Sequence, residues 1–298
     1  MANPIFKGSA VAIVTPMNQD GSINYEEYGR LIDFQINNGT DAIVACGTTG
    51  ESATMSKEEH CDVIAYTVKK VAKRVPVIAG AGSNDTLFAA ELSKEAEALG
   101  ADAILSVTPY YNKTSQSGLI RHYNYIADRI HIPMILYNVP SRTGCNIKPE
   151  TYAELAKHPN IQAAKEANGD ISALVKTMAL CGDDLDIYSG EDAQTFSIIS
   201  MGGYGVISVL ANICPRETHE MAAKALAGDF KSSFAMQKYY IDLINMLFSD
   251  VNPIPVKTAM NMCGFNCGPC RMPLTSMSEA GEKALRDCLV RYGIIKEN

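Results

Sequence analysis

Short runs of apolar, often β-branched residues recur along the chain, and an amphipathic stretch follows each of them. Within a run the apolar positions are continuous rather than alternating, which is typical of parallel strands that are buried on both faces. Eight such runs begin near residues 9, 41, 75, 101, 132, 161, 185 and 204. The pattern therefore predicts eight parallel strands inside the protein.

Helical periodicity and capping signals occupy the segments between the strands. Ser56 and Glu59 have the spacing of a capping box, which satisfies two free backbone donors at the start of a helix. A further helix is predicted from about residue 24 to Asn38-Gly39. The remaining predicted helices span 85–99, 117–130, 149–157, 171–181, 192–200 and 215–227. A strand–helix unit of roughly 30 residues, repeated eight times, predicts an α/β fold of the (β/α)8 TIM-barrel type.

A doubly wound open sheet is the alternative to a closed barrel. We disfavour it because no Gly-x-Gly-x-x-Gly motif follows the first strand. After Gly228 the strand signals stop, and residues 230–248, 255–263 and 278–292 have helical periodicity. The expected organisation is a catalytic barrel over residues 1–228 with a C-terminal helical appendage over 229–298.

Length, net charge and the distribution of apolar residues limit the kinds of protein that this chain can be. The 298 residues fit either two domains or one large barrel. A net charge of −7 and the lack of a basic run argue against nucleic acid as a partner. The N-terminal residues do not resemble a signal peptide, and no apolar stretch is long enough to cross a membrane. We therefore expect a cytoplasmic protein that does not bind membranes.

Nine cysteines, an odd number, favour reduced thiols over a disulfide framework. Cys263, Cys267 and Cys270 need separate consideration, because their C-x3-C-x2-C spacing matches iron–sulfur ligand sets. The competing interpretation is an accidental group of thiols near a helix end.

Lys165 is the unusual residue of the sixth strand, which it ends just before Asn168-Gly169-Asp170. A strand interior disfavours lysine, and small apolar neighbours remove the hydration that stabilises its charged form. A neutral amine can attack a carbonyl and form a Schiff base. The alternative is an exposed lysine that closes an edge strand.

Other polar side chains follow the ends of the predicted strands, where TIM barrels build their active sites. The loop 47–52 offers backbone donors and hydroxyls that could bind a carboxylate. The remaining candidates at these strand ends are Tyr110, Tyr111, Tyr137, Arg142, Gly190 and the Ile207–Ser208 region. Each has an ordinary structural explanation, but their joint placement at one face favours a site.

Five motifs make the sequence resemble the dihydrodipicolinate synthase family over essentially its whole length. They are Gly47-Thr-Thr-Gly-Glu-Ser52, Tyr137-Asn-Val-Pro-Ser-Arg-Thr-Gly144, Lys165-Glu-Ala167, Gly205-Val-Ile-Ser208 and Asn252-Pro-Ile-Pro-Val-Lys257. The resemblance implies a lyase that condenses pyruvate with L-aspartate 4-semialdehyde to 4-hydroxy-tetrahydrodipicolinate, in lysine and diaminopimelate biosynthesis. It implies no metal and no other cofactor, because the iminium nitrogen itself accepts the electrons.

The resemblance also implies roles for individual residues. Lys165 would carry the imine, and Tyr137 would be its general acid/base. Thr49 and Tyr111 would relay the proton, with Tyr111 entering the site of a neighbouring subunit in a homotetramer built as a dimer of dimers. The substrate-binding residues would be Thr48 and Thr49 for the pyruvate carboxylate, Arg142 for the semialdehyde carboxylate, and Gly190 and Ile207 through their backbones. Strand alternation turns Glu166 away from the lumen, so we expect a structural role for it.

Two alternatives to this activity remain within the fold. N-acetylneuraminate lyase and 2-keto-3-deoxy sugar-acid aldolases share the barrel and the imine chemistry, although Arg142 with Thr143-Gly144 favours a carboxylate-bearing substrate. A non-catalytic relative would have lost the lysine or the tyrosine, and both are present.

Many family members bind lysine, the end product, at a dimer interface. The matching positions here are Ala53, Lys57, His60, Gly82, Asn84, Phe88 and Tyr110. Inhibited members usually carry histidine at the position of Lys57 and glutamate at that of Phe88. Since phenylalanine offers no charge to an incoming ammonium and Lys57 adds a like charge, we expect weak or no inhibition by lysine.

Overall fold

A computed structural model describes residues 4–297, and it confirms the predicted barrel. Each strand pairs in parallel with its sequence neighbours, and the last strand pairs with the first to close the sheet. The eight strands are Gly8–Ala12 (β1), Ala42–Ala45 (β2), Val77–Gly80 (β3), Ala103–Val107 (β4), Met134–Asn138 (β5), Ile161–Glu166 (β6), Asp186–Ser189 (β7) and Gly205–Ser208 (β8).

The α-helices surround this barrel and continue beyond it. They are Tyr25–Asn37 (α1), Lys57–Val71 (α2), Thr86–Ala98 (α3), Gln116–Ala127 (α4), Pro140–Thr143 (α5), Pro149–Leu155 (α6), Ile171–Cys181 (α7), Thr195–Ser200 (α8), Pro215–Leu226 (α9), Phe230–Met246 (α10), Ile254–Met262 (α11) and Glu279–Arg291 (α12). Short 3₁₀ turns lie at Ser52–Thr54, Gly182–Asp184, Asp192–Gln194 and Leu210–Asn212.

Most predicted helices are observed within a few residues of their expected ends, and the reasons are local. The capping box at Ser56 is complete, with both of its reciprocal hydrogen bonds present. Two details differ from the sequence prediction. The segment 192–200 is a 3₁₀ turn followed by α8, and the loop after β5 contains the single helical turn α5, which begins at Pro140.

Two apolar layers hold the barrel. One lies inside it, where side chains of the strands interdigitate and the Phe6 and Tyr188 rings stack with centroids 4.2 Å apart. The other lies between the sheet and the surrounding helices. Because both faces of every strand are covered, the strands need the continuous apolarity seen in the sequence.

The C-terminal helices are bound to the barrel by polar contacts as well as by packing. The Arg271 guanidinium donates to both carboxylate oxygens of Glu59 at 2.6 and 2.8 Å, and to the carbonyl oxygens of Gly21 and Thr54. Lys257 of α11 makes a buried ion pair with Glu51 in the loop after β2. None of the helices in the described part of the chain combines the length and apolar character needed to span a membrane.

The three clustered cysteines, Cys263, Cys267 and Cys270, follow the end of α11. Within residues 4–297, no three His, Cys, Asp or Glu side chains are arranged to hold a metal ion. Burial raises the pKa of the Cys263 and Cys270 thiols to about 11 and that of Cys267 to about 12. Cys267 packs against the Met260 sulfur at 3.9 Å, so these residues are apolar packing elements.

Candidate active site

A cavity of about 200 Å³ lies at the carboxyl ends of the strands. Six of the predicted site residues line it, and they come from β5, β6 and the loops that follow β2, β5 and β7. They are Thr48, Thr49, Tyr137, Arg142, Lys165 and Gly190. The barrel therefore brings together residues separated by more than a hundred positions.

Lys165 reaches this cavity from the buried end of β6. It pairs in register with Tyr137 on β5 and Tyr188 on β7, and only 6% of its surface is exposed. Burial lowers the pKa of Lys165 to about 8, while the carboxylates of Asp192 and Glu191 act in the opposite direction. The amine is therefore neutral far more often near neutral pH than an ordinary lysine.

The ring of Tyr137 lies beside that amine. The Lys165 Nζ lies 4.1 Å from the centroid of the Tyr137 ring, close enough for a cation–π contact when the amine is protonated. Burial raises the pKa of Tyr137 to about 12, so its hydroxyl keeps its proton and can donate it.

Gly190 provides the space that the lysine side chain needs. A Cβ at this position would lie 3.1 Å from both Cγ and Cε of Lys165, closer than side chains normally pack. Its predicted role was a backbone contact with the substrate, and the structure adds a steric reason for glycine here.

The loop Gly47–Ser52 holds two threonines in different environments. Thr48 is exposed at the cavity, whereas Thr49 is buried and its Oγ1 accepts a hydrogen bond from Asn252 Nδ2 at 3.0 Å. Backbone turns close the loop, with Gly50 N–H donating to Gly47 and Glu51 N–H donating to Thr48. The loop thus contributes both threonines to one side of the cavity.

Arg142 borders the cavity from the short helix α5. Its guanidinium is exposed, and Nη2 lies 3.4 Å from the backbone oxygen of Asn252, which it contacts as a donor. A planar fork in this position can bind a carboxylate through two parallel hydrogen bonds.

Two predicted residues are not in this cavity. Ile207 is buried within the barrel, where it pairs with Ala10 of β1 and packs in the interior apolar layer. Tyr111 follows β4 and has 91% of its surface exposed, with a φ of 66° that bulky residues rarely adopt. A single chain therefore does not bring Tyr111 to the lysine.

Glu166 points away from the lumen, as strand alternation predicted. Its carboxylate accepts hydrogen bonds from the Tyr152 hydroxyl at 2.9 Å and from Asn138 Nδ2 at 3.1 Å. Burial raises the pKa of Glu166 to about 7. These bonds anchor the end of β6 to β5 and α6, directly behind the lysine.

Sequence reasoning missed two groups around the cavity. Glu191 and Asp192, which directly follow Gly190, are the carboxylates that face the lysine, and Asp192 Oδ2 accepts the backbone N–H groups of Val209 and Leu210. Asn252 was noted only as part of a motif. The adjacency of Gly190, Glu191 and Asp192 was a usable signal, but the contact of Asn252 with the loop was not visible in the sequence.

A second cavity of about 430 Å³ adjoins the first and shares Thr48, Arg142 and Asn252 with it. Its lining includes most of the predicted regulatory positions, namely Ala53, Lys57, His60, Gly82, Phe88 and Tyr110. Asn84 lies outside it, where its backbone oxygen accepts a hydrogen bond from Asn112. His60 is buried and bonded to the carbonyl oxygen of Gly80 at 2.7 Å.

The charge of Lys57 is already compensated. Its ammonium pairs with Glu91 at 2.6 Å and with Glu95 at 2.7 Å, and hydrogen bonds to both carboxylates raise the pKa of Lys57. These two carboxylates are therefore occupied, and Phe88 contributes an apolar, 38% exposed ring to the cavity.

Comparisons with known proteins agree with this geometry. A model of the family described as "Dihydrodipicolinate synthetase family" matches residues 5–291. A protein of Lachnoclostridium phytofermentans named 4-hydroxy-tetrahydrodipicolinate synthase is 54% identical over 292 residues, covering 98% of this chain and 99% of its own. The protein of the same name from Acetivibrio thermocellus is 53% identical over 295 residues, covering 99% of this chain and all of its own.

Solved structures give the same result. A crystal structure of dihydrodipicolinate synthase from Aquifex aeolicus has a TM-score of 0.96 and 44% identity, covering 98% of this chain and 100% of that chain. The enzyme from Acinetobacter baumannii, solved in complex with pyruvate, has a TM-score of 0.95 and 43% identity, covering 97% and 99%.

Proposed function

Because the chain belongs to the dihydrodipicolinate synthetase family, we propose that it condenses pyruvate with L-aspartate 4-semialdehyde, giving 4-hydroxy-tetrahydrodipicolinate and water. The observation that carries this proposal is the buried Lys165, whose pKa is lowered to about 8 beside Tyr137 in the cavity. The activity belongs to lysine and diaminopimelate biosynthesis.

The proposed chemistry begins with the neutral amine of Lys165. Its nitrogen attacks the C2 carbonyl carbon of pyruvate, and loss of water leaves an iminium ion. Loss of a methyl proton then gives an enamine, whose carbon attacks the aldehyde of the second substrate. The amino group of that substrate closes the ring onto the imine carbon and releases the lysine.

Tyr137 is the proposed acid/base for the proton transfers at the imine. Its high pKa suits a group that donates a proton to the leaving oxygen and recovers it afterwards. Thr49 and Tyr111 are the proposed relay, with Thr48 and Thr49 binding the pyruvate carboxylate, Arg142 binding the carboxylate of the semialdehyde, and Gly190 and Ile207 contributing backbone contacts.

The relay requires a second copy of the chain, and we propose a homotetramer assembled as a dimer of dimers. The exposure and unusual backbone of Tyr111 support this, because a large aromatic side chain held away from its own barrel is suited to enter another site. One structural relative, 41% identical and with a TM-score of 0.94, is described as a monomeric variant, so the assembly must be measured. Sedimentation of the wild type tests the assembly, and the kcat of a Tyr111→Phe variant that sediments like the wild type tests the relay.

Borohydride reduction in the presence of pyruvate, followed by peptide mass spectrometry, tests the imine. We expect one adduct, on Lys165, and none on Lys257, which is equally buried and serves as an internal control. A protein without an adduct on Lys165 is not this enzyme.

The substrate is tested with a coupled assay. We expect turnover of pyruvate with L-aspartate 4-semialdehyde and none of N-acetylneuraminate. Turnover of N-acetylneuraminate alone would replace the proposed activity with the lyase.

A further inference from the structure

The motif Asn252–Lys257 has no role in the proposed chemistry, yet two of its side chains reach the pyruvate-binding loop. Asn252 Nδ2 donates to Thr49 Oγ1 at 3.0 Å, and Lys257 Nζ donates to Glu51 Oε1 at 2.7 Å. Both contacts are buried, and each joins positions about two hundred residues apart along the chain. The C-terminal region therefore shapes the cavity from outside the barrel.

Asn252 touches both groups that are proposed to bind carboxylates. Its side chain contacts Thr49, and its backbone oxygen accepts from Arg142 Nη2 at 3.4 Å. It also lines both cavities, and only 6% of its surface is exposed. Within residues 4–297, no other residue forms hydrogen bonds to the side chains of both Thr49 and Arg142.

The direction of the Asn252–Thr49 bond decides what Thr49 can do. A hydroxyl has one hydrogen to donate and two lone pairs that accept. Because Asn252 donates, it occupies a lone pair of Thr49 and leaves the hydrogen free for another acceptor. In the opposite amide orientation Asn252 would accept that hydrogen, and Thr49 would have nothing to donate to a carboxylate.

The other end of the amide, Oδ1, is buried and has no partner among the protein groups of the described residues. Within the protein Asn252 thus uses only the donor end of its amide, and the free hydrogen on Thr49 can point at an anion in the cavity.

We infer that Asn252 is a positioning residue that keeps Thr49 as a hydrogen-bond donor to the carboxylate of pyruvate and so sets the affinity for the first substrate. This inference rests on the proposed function, since it needs pyruvate in the cavity. It assigns Asn252 no contact with reacting atoms.

The Asn252→Asp variant tests the inference with almost no change in shape. A carboxylate only accepts hydrogen bonds, so Thr49 must donate to it and is lost to the substrate. We expect the KM for pyruvate to rise about tenfold or more. The kcat should fall as well, because the same hydroxyl of Thr49 belongs to the proposed proton relay. Thr49→Val should raise the KM for pyruvate by a similar factor.

The double variant separates this mechanism from simple charge repulsion. If Asn252 acts through Thr49, adding Asn252→Asp to Thr49→Val should change the KM for pyruvate by no more than about twofold. Two penalties that multiply would overturn the inference, as would an unchanged KM in the single Asn252→Asp variant.

Two further variants protect the test from a folding defect. Asn261→Asp makes the same substitution at an exposed site in the C-terminal region, where Asn261 Nδ2 donates to the Gly268 carbonyl oxygen, and it should leave the KM for pyruvate unchanged. If Asn252→Asp does not fold, Asn252→Ala replaces it. We expect about a threefold rise in KM that disappears in the Thr49→Val background, and persistence there overturns the inference.

The proposed function fails on a different observation. It fails if wild-type protein forms no borohydride-trapped adduct on Lys165. A wild type that forms the adduct, with Asn252 and Thr49 variants that act independently, would leave the function intact and remove only the role of Asn252.

Discussion

Two buried lysines in this protein have opposite surroundings. Lys257, in α11 of the C-terminal region, pairs with Glu51 at 2.7 Å and also donates to the carbonyl oxygen of Pro269 at 2.7 Å. Lys165, at the end of β6, makes no salt bridge in the described part of the chain and lies against the ring of Tyr137. Their side chains are similarly inaccessible, so burial alone does not distinguish them.

The two lysines differ in the groups that surround their side-chain nitrogen atoms. Two close oxygen acceptors hold the Lys257 ammonium, so this lysine fastens the loop after β2 to α11. The carboxylates of Asp192 and Glu191 only partly offset the burial of Lys165, and its pKa falls to about 8. A buried lysine becomes a nucleophile when its partners are too weak to keep it protonated.

The largest effect is expected from removing the reactive amine. Lys165→Met keeps the length and apolar stem of the side chain, so the protein should fold with an unchanged or higher thermal midpoint. Synthase turnover should fall by at least about a thousandfold, because the covalent route is lost. Coupled assay and borohydride trapping on the same preparation measure both, and retention of turnover would disprove the role of this lysine.

Removing the other lysine should affect stability before chemistry. Lys257→Met leaves the Glu51 carboxylate buried without its cation, which typically lowers the free energy of unfolding by about 3–5 kcal/mol. Urea denaturation measures this, and adding Glu51→Gln should restore part of the loss. The folded fraction should still form the pyruvate adduct on Lys165. A Lys257→Met protein as stable as wild type would show that the pair is not what holds the loop.

Tyr137→Phe tests whether the ring or the hydroxyl matters beside Lys165. The aromatic ring stays beside the Lys165 amine, so the surroundings of the amine are preserved. The hydroxyl, which is the proposed proton donor, is lost. We expect kcat to fall about a hundredfold, at the lower end of the usual range for acid/base catalysis. Equal loss of adduct formation and of kcat would indicate that the hydroxyl acts at the imine step itself.

The pH dependence of trapping tests the lowered pKa of Lys165 directly. The pKa of Lys165 is lowered from its ordinary value of 10.5 to about 8, so the reactive neutral amine is the minor form below that pH. Adduct formation with pyruvate and cyanoborohydride should therefore increase about tenfold per pH unit well below 8 and level off above it. An increase that continues to about pH 10 would mean that the amine is not perturbed.

The smallest effect on the initial rate is expected from the addition of free lysine. Lys57 occupies the carboxylates of Glu91 and Glu95, and Phe88 offers no charge. Glu51, a carboxylate in the lining of the second cavity, is paired with Lys257, so an added ammonium meets no unpaired carboxylate there among the described residues. Initial rates should be insensitive to low micromolar lysine, and strong inhibition there would contradict this. Lys57→Ala frees both carboxylates and should increase sensitivity to lysine.

The barrel could be predicted from the sequence, because each strand and helix is specified by residues that lie close together in the chain. Continuous apolar runs, capping residues and turn residues each act within a few positions, and the closed sheet follows from their repetition. The position of Lys165 at a strand end was predictable for the same reason. Even the outward direction of Glu166 followed from simple alternation.

The parts that sequence could not supply depend on contacts between distant residues. Nothing near Asn252 in the chain indicates that its amide meets Thr49. Gly190 looked like a backbone contact, and only the packed side chains of Ala167 and Lys165, 3.0–3.1 Å from an added Cβ, show why the space there is tight. Tyr111 is a third kind of case, because its proposed partner lies outside a single chain.

The long-range contacts of the loop Gly47–Ser52 have a consequence for synthesis on the ribosome. Thr49 and Asn252 are 203 residues apart, and Glu51 and Lys257 are 206 apart. At typical translation rates of about 5–20 residues per second, the loop emerges about 10–40 seconds before its partners. All eight strands precede Asn252 in the chain. The nascent chain therefore contains every barrel strand before Asn252 and Lys257, which fix the loop Gly47–Ser52, have been synthesised.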